Sequence, residues 1–152
     1  MSPYLIDVPA VNSSSSERLV PVYVKSLTAL REHVERFARY FLREMNTGGI
    51  QFNAAETEKT WGYVPYKAFL FAREGHFVGA ACFRYRDYED KGNPWVFDWI
   101  WICPFWRRRG VLAQSWPDIN AQVGRFRLAH PVSPHMQAFL SKVGNNAAQP
   151  FT

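Results

Sequence analysis

Cysteine is scarce in this 152-residue chain: Cys82 and Cys103 are the two, each inside an apolar segment and without the spacing of metal ligands. Their scarcity argues against a disulfide scaffold, leaves a thiolate metal site nothing to build on, and fits a reducing compartment such as the cytoplasm. Long apolar runs are missing as well. No stretch approaches the roughly 18 residues of a membrane span, and no basic start followed by an apolar run marks a secretion leader. Acidic residues are the minority charge, 13 Asp and Glu against 18 Lys and Arg, for a net charge of +5. That balance fits anionic partners such as nucleotides, nucleic acid or acidic proteins, and equally fits simple solubility. Neither G-x-G-x-x-G nor G-K-[ST] occurs, so the dinucleotide and P-loop fingerprints are absent.

Aromatic residues, by contrast, make up 16% of the chain, with six Trp, so much of the core or of a groove is built from large flat side chains. Residues 1–17, with the polar run VNSSSSE, read as a flexible lead-in, and 18–152 as a single domain. RLVPVYVKS (18–26) reads as a strand, at a sheet edge because Pro21 has no amide hydrogen to donate, and Ser26 is placed to cap a following helix. In LTALREHVERFARYFLREM, Leu27, Leu30, Val34, Phe37, Phe41 and Leu42 recur at spacings of three and four, an amphipathic helix that NTGG ends. Residues 50–66 read as a short helix or a loop. YKAFLFAR and FVGAACFRYRD, joined through EGH, form a hairpin, DYEDKGNP is a polar loop, and WVFDWIWI (95–102) is a strand with Asp98 as its one charge. GVLAQSWPDINAQV reads as a helix kinked or interrupted at Pro117, RFRLAH (125–130) as a strand, and SPHMQAFLSKV as a last helix with Pro134 near its first position.

The stretch ICPFWRRRGVLAQSW (102–116) sets three mutually repelling arginines between a strand and a helix. The first amides of a helix have no internal partner, and the helix dipole makes that end partly positive, so such a junction attracts anions. Gly110 lets ligand and backbone approach without a Cβ between them, and Arg107, Arg108 and Arg109 add guanidinium charge. A diphosphate answers the arrangement on chemical grounds; a solvated basic turn is the alternative.

ICPFWRRRGVL resembles the acetyl-CoA signature of the GNAT acetyltransferases, a strand ending V-x-P followed by x-aromatic-R-x-x-G-x-G/A. Ile102, Pro104, Trp106, Arg107 and Gly110 match in order, while Leu112 stands where a second small residue is usual. The order of elements follows the same family from residue 18 to 144. The resemblance implies an α+β (α/β) fold: a mixed, mostly antiparallel central sheet flanked by helices, with a V-shaped splay between the strands at about 95–102 and 125–130. It further implies acetyl-CoA as co-substrate, with no metal. The diphosphate would rest on the loop of Arg107, Arg108, Arg109, Gly110, Val111 and Leu112, and the pantetheine arm would pair with backbone near Trp101, Ile102 and Cys103. The segment SPHMQAFLSKVGN is in turn similar to the T-P-D-G-K-x-F-A-T-K ending of the cohesin acetyltransferases. There Ser133, Pro134, Phe139, Ser141 and Lys142 align, and His135 falls where that family places a catalytic Asp.

Direct attack on a thioester needs a neutral amine, hence a base. Asp98 is the first candidate: it shares strand parity with Ile100 and Ile102, and poor solvation among Trp95, Phe97, Trp99 and Ile100 would raise its pKa. Its alternative is solvent exposure or a pair with an arginine such as Arg84. His135 is the second candidate and His130 the third. The tyrosine that commonly protonates the leaving thiolate in the family falls at Leu140, so Ser133 or Ser141 would take that role, or water. Cys103 reads as a small hydrophobe rather than a nucleophile. Trp61, Tyr63 and Tyr66 line an acceptor groove or belong to the core. The expected acceptor is a primary amine, on a small molecule or on a protein lysine or N-terminus, with no membrane. A homodimer sharing strands is compatible with the nine residues after the last helix. Two other readings stand beside this one, a GNAT-fold protein that binds acetyl-CoA without turnover, and a basic module for nucleic acid.

Overall fold

The computed structural model of the chain describes residues 18–45, 52–86, 95–128, 138–139 and 148–150. Its elements are β1 (Leu19–Val22), α1 (Thr28–Met45), β2 (Tyr66–Arg73), β3 (His76–Tyr85), β4 (Trp95–Ile102), a 3₁₀ turn (Pro104–Trp106), α2 (Val111–Val123), β5 (Phe126–Leu128) and β6 (Ala148–Pro150). The strands form one six-stranded sheet in sequential order, antiparallel from β1 to β4 and parallel from β4 through β5 to β6. This is the mixed, mostly antiparallel sheet flanked by helices that the sequence implies.

The two helices cover opposite faces. Val34, Phe37, Ala38 and Tyr40 of α1 pack with Ala68, Leu70, Ala80, Cys82, Trp99 and Trp101. Val111, Trp116, Ile119 and Val123 of α2 pack with Phe69, Phe71, Val78, Ala81, Phe83, Phe97 and Phe126. With both faces covered, β2 and β3 lose hydrophobic alternation and become nearly continuous apolar runs. Each of these large side chains adds roughly 1.5–3 kcal/mol by leaving water. The hairpin between β2 and β3 turns at Glu74 and Gly75, both left-handed with φ of 50 and 79°, as the twist of a two-residue hairpin demands.

Several details differ from the sequence reading. β1 is shorter than 18–26, though Pro21 does lie on the sheet edge. Ser26 does not cap α1: its Oγ accepts the Tyr23 amide at 2.8 Å, closing a turn of its own. Leu27 is exposed, and the buried stripe of α1 begins at Val34. Of the short helix or loop read over 50–66, the described residues 52–65 take the loop, as a series of turns. α2 runs through Pro117 without interruption. β6 has no counterpart in the sequence reading. Residues 1–17, and the helix expected over 134–143 apart from Ala138 and Phe139, lie outside the described residues.

What positions the site is a fork. β4 pairs with β5 through Val96 with Arg127 and Phe97 with Leu128. Among the described residues, β4 then continues from Asp98 to Ile102 with no ladder partner on that side. On its other side β4 stays zipped to β3, but the register shifts: Phe97 faces Phe83 and Trp99 faces Cys82, so Asp98 is one residue too many. Such a bulge bends the strand and increases its twist, and it falls where the described pairing of β4 with β5 ends.

Candidate functional site

The open edge of β4 offers main-chain groups. The Cys103 amide donates to Val78 O at 2.8 Å. By the alternation of an antiparallel ladder, the peptide groups of Trp101 and Cys103 therefore turn toward β3, and those of Ile100 and Ile102 toward the open side. Of the three residues expected to pair with an extended ligand, Ile102 faces the fork, and Ile100 joins it. The side chain of Trp101 lies elsewhere, stacked on Phe37 at 5.7 Å and tilted on Tyr40 at 5.1 Å beneath α1.

The turn that follows answers the question of the three arginines. Arg107 is held: its Nε donates to Ile102 O at 2.7 Å and its Nη2 to Glu44 Oε1 at 2.7 Å. The same Glu44 oxygen accepts Trp101 Nε1 at 3.2 Å, so the end of α1 clasps strand and turn together. Arg109 donates to Phe105 O at 2.6 Å and lies over the exposed Phe105 ring at 4.3 Å. Arg108 has no hydrogen-bond or ionic partner among the described residues; it sits in the left-handed region at φ 62°, as does Gly110 at 79°. Two of the three charges are thus engaged inside the protein, which narrows the expectation of three mobile guanidiniums to one.

The amides of the turn are another matter. Residues 107–110 run as turns, yet among the described residues no main-chain acceptor meets the N–H of Arg108, Arg109, Gly110, Val111, Leu112 or Ala113 in good hydrogen-bond geometry, and Gly110 caps α2 with no side-chain hydrogen bond at the helix end. Unpartnered amides at a helix start, next to an unpaired strand edge, can hold an extended ligand that ends in a diphosphate. Such an edge could pair with an amide-bearing chain at Ile100 and Ile102, and the amides from Arg108 to Ala113, with Arg108, could hold phosphates.

Asp98 stands at the vertex of the fork, the first residue of β4 past its pairing with β5. The parity argument fails, because the bulge separates it from Ile100 and Ile102, which pack toward α2. Its carboxylate lies 3.8 Å from Arg84 Nε, and Arg84 Nη1 lies 3.5 Å from Glu56 Oε1. Arg84 also covers the Tyr66 ring at 5.3 Å, on the α1 side. All three members of this carboxylate–guanidinium–carboxylate row are largely buried, at 15% exposure for Glu56, 12% for Arg84 and 16% for Asp98. Burial raises the Asp98 pKa above the usual carboxylate range, against the opposing pull of Arg86 and Arg84. The pair with Arg84, the alternative to a base, is formed, and the raised pKa stands beside it.

The remaining candidates separate. Tyr66 is core, Tyr63 packs beside it, and Trp61 is 97% exposed. Cys82 is fully buried with its thiol pushed up to about 12, and Cys103 packs against the same cluster, both in keeping with hydrophobic roles. Ser133, His135, His130, Leu140 and Ser141, and with them the segment similar to the cohesin acetyltransferases, lie outside the described residues. Sequence reasoning missed Glu44 and Glu56, whose partners are 63 and 28 residues away.

The fold is similar to the crystal structure of a ribosomal-protein-alanine N-acetyltransferase from Brucella melitensis biovar Abortus 2308, with a TM-score of 0.56 over 84% of this chain and 91% of that one, at 13% identity. No family model matches the sequence, and no curated protein matches it. Similarity at that identity establishes a shared fold.

Proposed function

We propose that the chain is an acetyl-CoA-dependent N-acetyltransferase that moves an acetyl group to a primary amine by direct attack. One observation carries the reading: among the described residues, the stretch of β4 past Phe97 has no ladder partner on the β5 side, and one 3₁₀ turn later comes a helix start whose amides meet no main-chain acceptor in good hydrogen-bond geometry. The fold likeness to an N-acetyltransferase supports it. Acetyl-CoA supplies the activated acyl group. The chain's own part is to hold that co-substrate along Ile100 and Ile102 and at the turn, and to present Asp98 at the vertex as the acceptor for the amine proton. Arg84, braced by Glu56, orients the carboxylate. The acceptor is an amine on a small molecule or a protein. A nucleic-acid surface would want three outward guanidiniums, whereas Arg107 and Arg109 are turned back onto the protein.

Acetyl-CoA at a hundred times its Kd is expected to stabilise the fold by about 2.7 kcal/mol, a rise in Tm of roughly 5–10 °C, with much smaller shifts from ATP and NAD. Gly110→Glu should abolish the shift by placing a carboxylate in the cradle. Gly110→Ala, strained at φ 79° by about 1 kcal/mol but uncharged, should retain much of it. Equal shifts with ATP and acetyl-CoA, or a full acetyl-CoA shift in Gly110→Glu, would remove this reading.

A further inference from the structure

A cavity of about 460 Å³ lies between the edge strand β1 and α2, lined by Arg18, Leu19, Pro21, Arg73, Gln114, Ser115, Asp118 and Gln122. None of residues 98–113 lines it, so it is separate from the fork. Its chemistry is uneven along its length. At one end Arg73, 7% exposed, donates to Ala72 O at 2.7 Å, and to Arg18 O, Val111 O and Gln114 Oε1 at 3.2 Å each. Every one of those acceptors is uncharged. Arg18 Nη1 donates to the same Gln114 oxygen at 3.1 Å, so two guanidiniums share one amide oxygen. Among the described residues no carboxylate forms an ion pair with either of them. A buried cation with neutral partners alone is costly, and an anion beside it relieves that cost.

Along the helix the charge reverses. Gln114, Asp118 and Gln122 recur every four residues and so share one face of α2, which sets Asp118 about one helical turn, roughly 5.4 Å, beyond the guanidinium end. Asp118 and Arg18 line one cavity, yet they do not pair. Opposite charges held apart in one cavity favour a ligand that carries both. Leu19 and Pro21 on the β1 wall add an apolar surface, and the volume lies in the range of small-molecule sites.

We propose that the cavity between β1 and α2 binds a free amino acid, its carboxylate on the Arg18 guanidinium with the buried Arg73 charge behind it, its ammonium on Asp118, and an apolar side chain against Leu19 and Pro21. The binding proposal itself stands whether or not the chain transfers acetyl groups.

The probes are L-leucine, 4-methylpentanoate, which lacks the amino group, and 3-methylbutylamine, which lacks the carboxylate, each titrated calorimetrically against the full chain at low ionic strength. L-leucine should bind saturably, the acid at least tenfold more weakly, and the amine least. Arg18→Ala removes an exposed side chain but keeps the carbonyl that Arg73 and Ala72 use, so it should fold normally and weaken leucine at least about tenfold. Asp118→Asn should weaken leucine while leaving 4-methylpentanoate unchanged or tighter. No binding of leucine at millimolar concentration, binding of the acid as tight as leucine, or equal leucine affinity in the wild type and both variants, would each overturn the proposal.

Discussion

Asp98→Asn is expected to lower kcat for acetyl transfer by roughly 10²–10⁴-fold, the usual contribution of a positioned base, while leaving acetyl-CoA binding within about twofold of the wild type. The pH dependence should identify the group. A base works ionised, and burial raises the Asp98 pKa above the ordinary carboxylate range. The wild-type rate should therefore fall as pH drops through that raised value, and the limb should vanish in the variant. Stability runs the other way. A carboxyl whose folded pKa is raised favours the native state when protonated; that contribution is full below the ordinary carboxylate pKa and is lost as pH rises through the folded one. At neutral pH the ionised Asp98 thus weakens the fold, and Asp98→Asn should unfold at the same or higher urea concentration. A variant that loses rate and stability together would make Asp98 a structural residue. A variant with unchanged kcat would move the base elsewhere, with His135 the next to test.

Gly79→Val should have the largest effect on stability. Gly79 on β3 faces Ile102, and a Cβ there would lie 2.4 Å from Trp101 O and 2.9 Å from Ile102 Cα. Both contacts are backbone, so no side-chain rotation relieves them. β3 and β4 would have to part at the stretch that carries the open edge. The expected loss is at least about 2 kcal/mol, read as a lower urea midpoint and a Tm lower by at least roughly 4–8 °C. Acetyl-CoA should stabilise the variant far less than the wild type, because Ile100 and Ile102 move with β4. A variant as stable as the wild type would show that the strands tolerate a wider spacing, and that the approach at Gly79 is not what holds the edge in place.

Much of the architecture was legible because its signals are local. The stripe through Val34 and Phe37, the Glu-Gly turn of the hairpin and the strand-to-helix junction at Gly110 each declare themselves within a dozen residues. Ser26 misled because a hydroxyl near a helix start has a rival amide, Tyr23, three residues back. The parity of Asp98 misled because counting by twos assumes an unbroken ladder, and a bulge leaves no mark in WVFDWIWI. The fate of Arg107 could not be read at all: its partner is on another element 63 residues away, and charge alone gives no hint of that pairing. β6 is the three residues Ala148–Pro150, too short for any period to register.

The fork has a corollary for how such a chain can change. Delete Asp98 outright and Phe97 is followed by Trp99, one side chain toward α2 and the next toward α1, in step with Phe83 and Cys82 opposite. The proposed base is therefore the one residue the hydrogen-bonded lattice could do without. Its insertion sets the twist of β4 at the end of the described pairing with β5, so a single codon alters the geometry of the strand that carries Ile100 and Ile102.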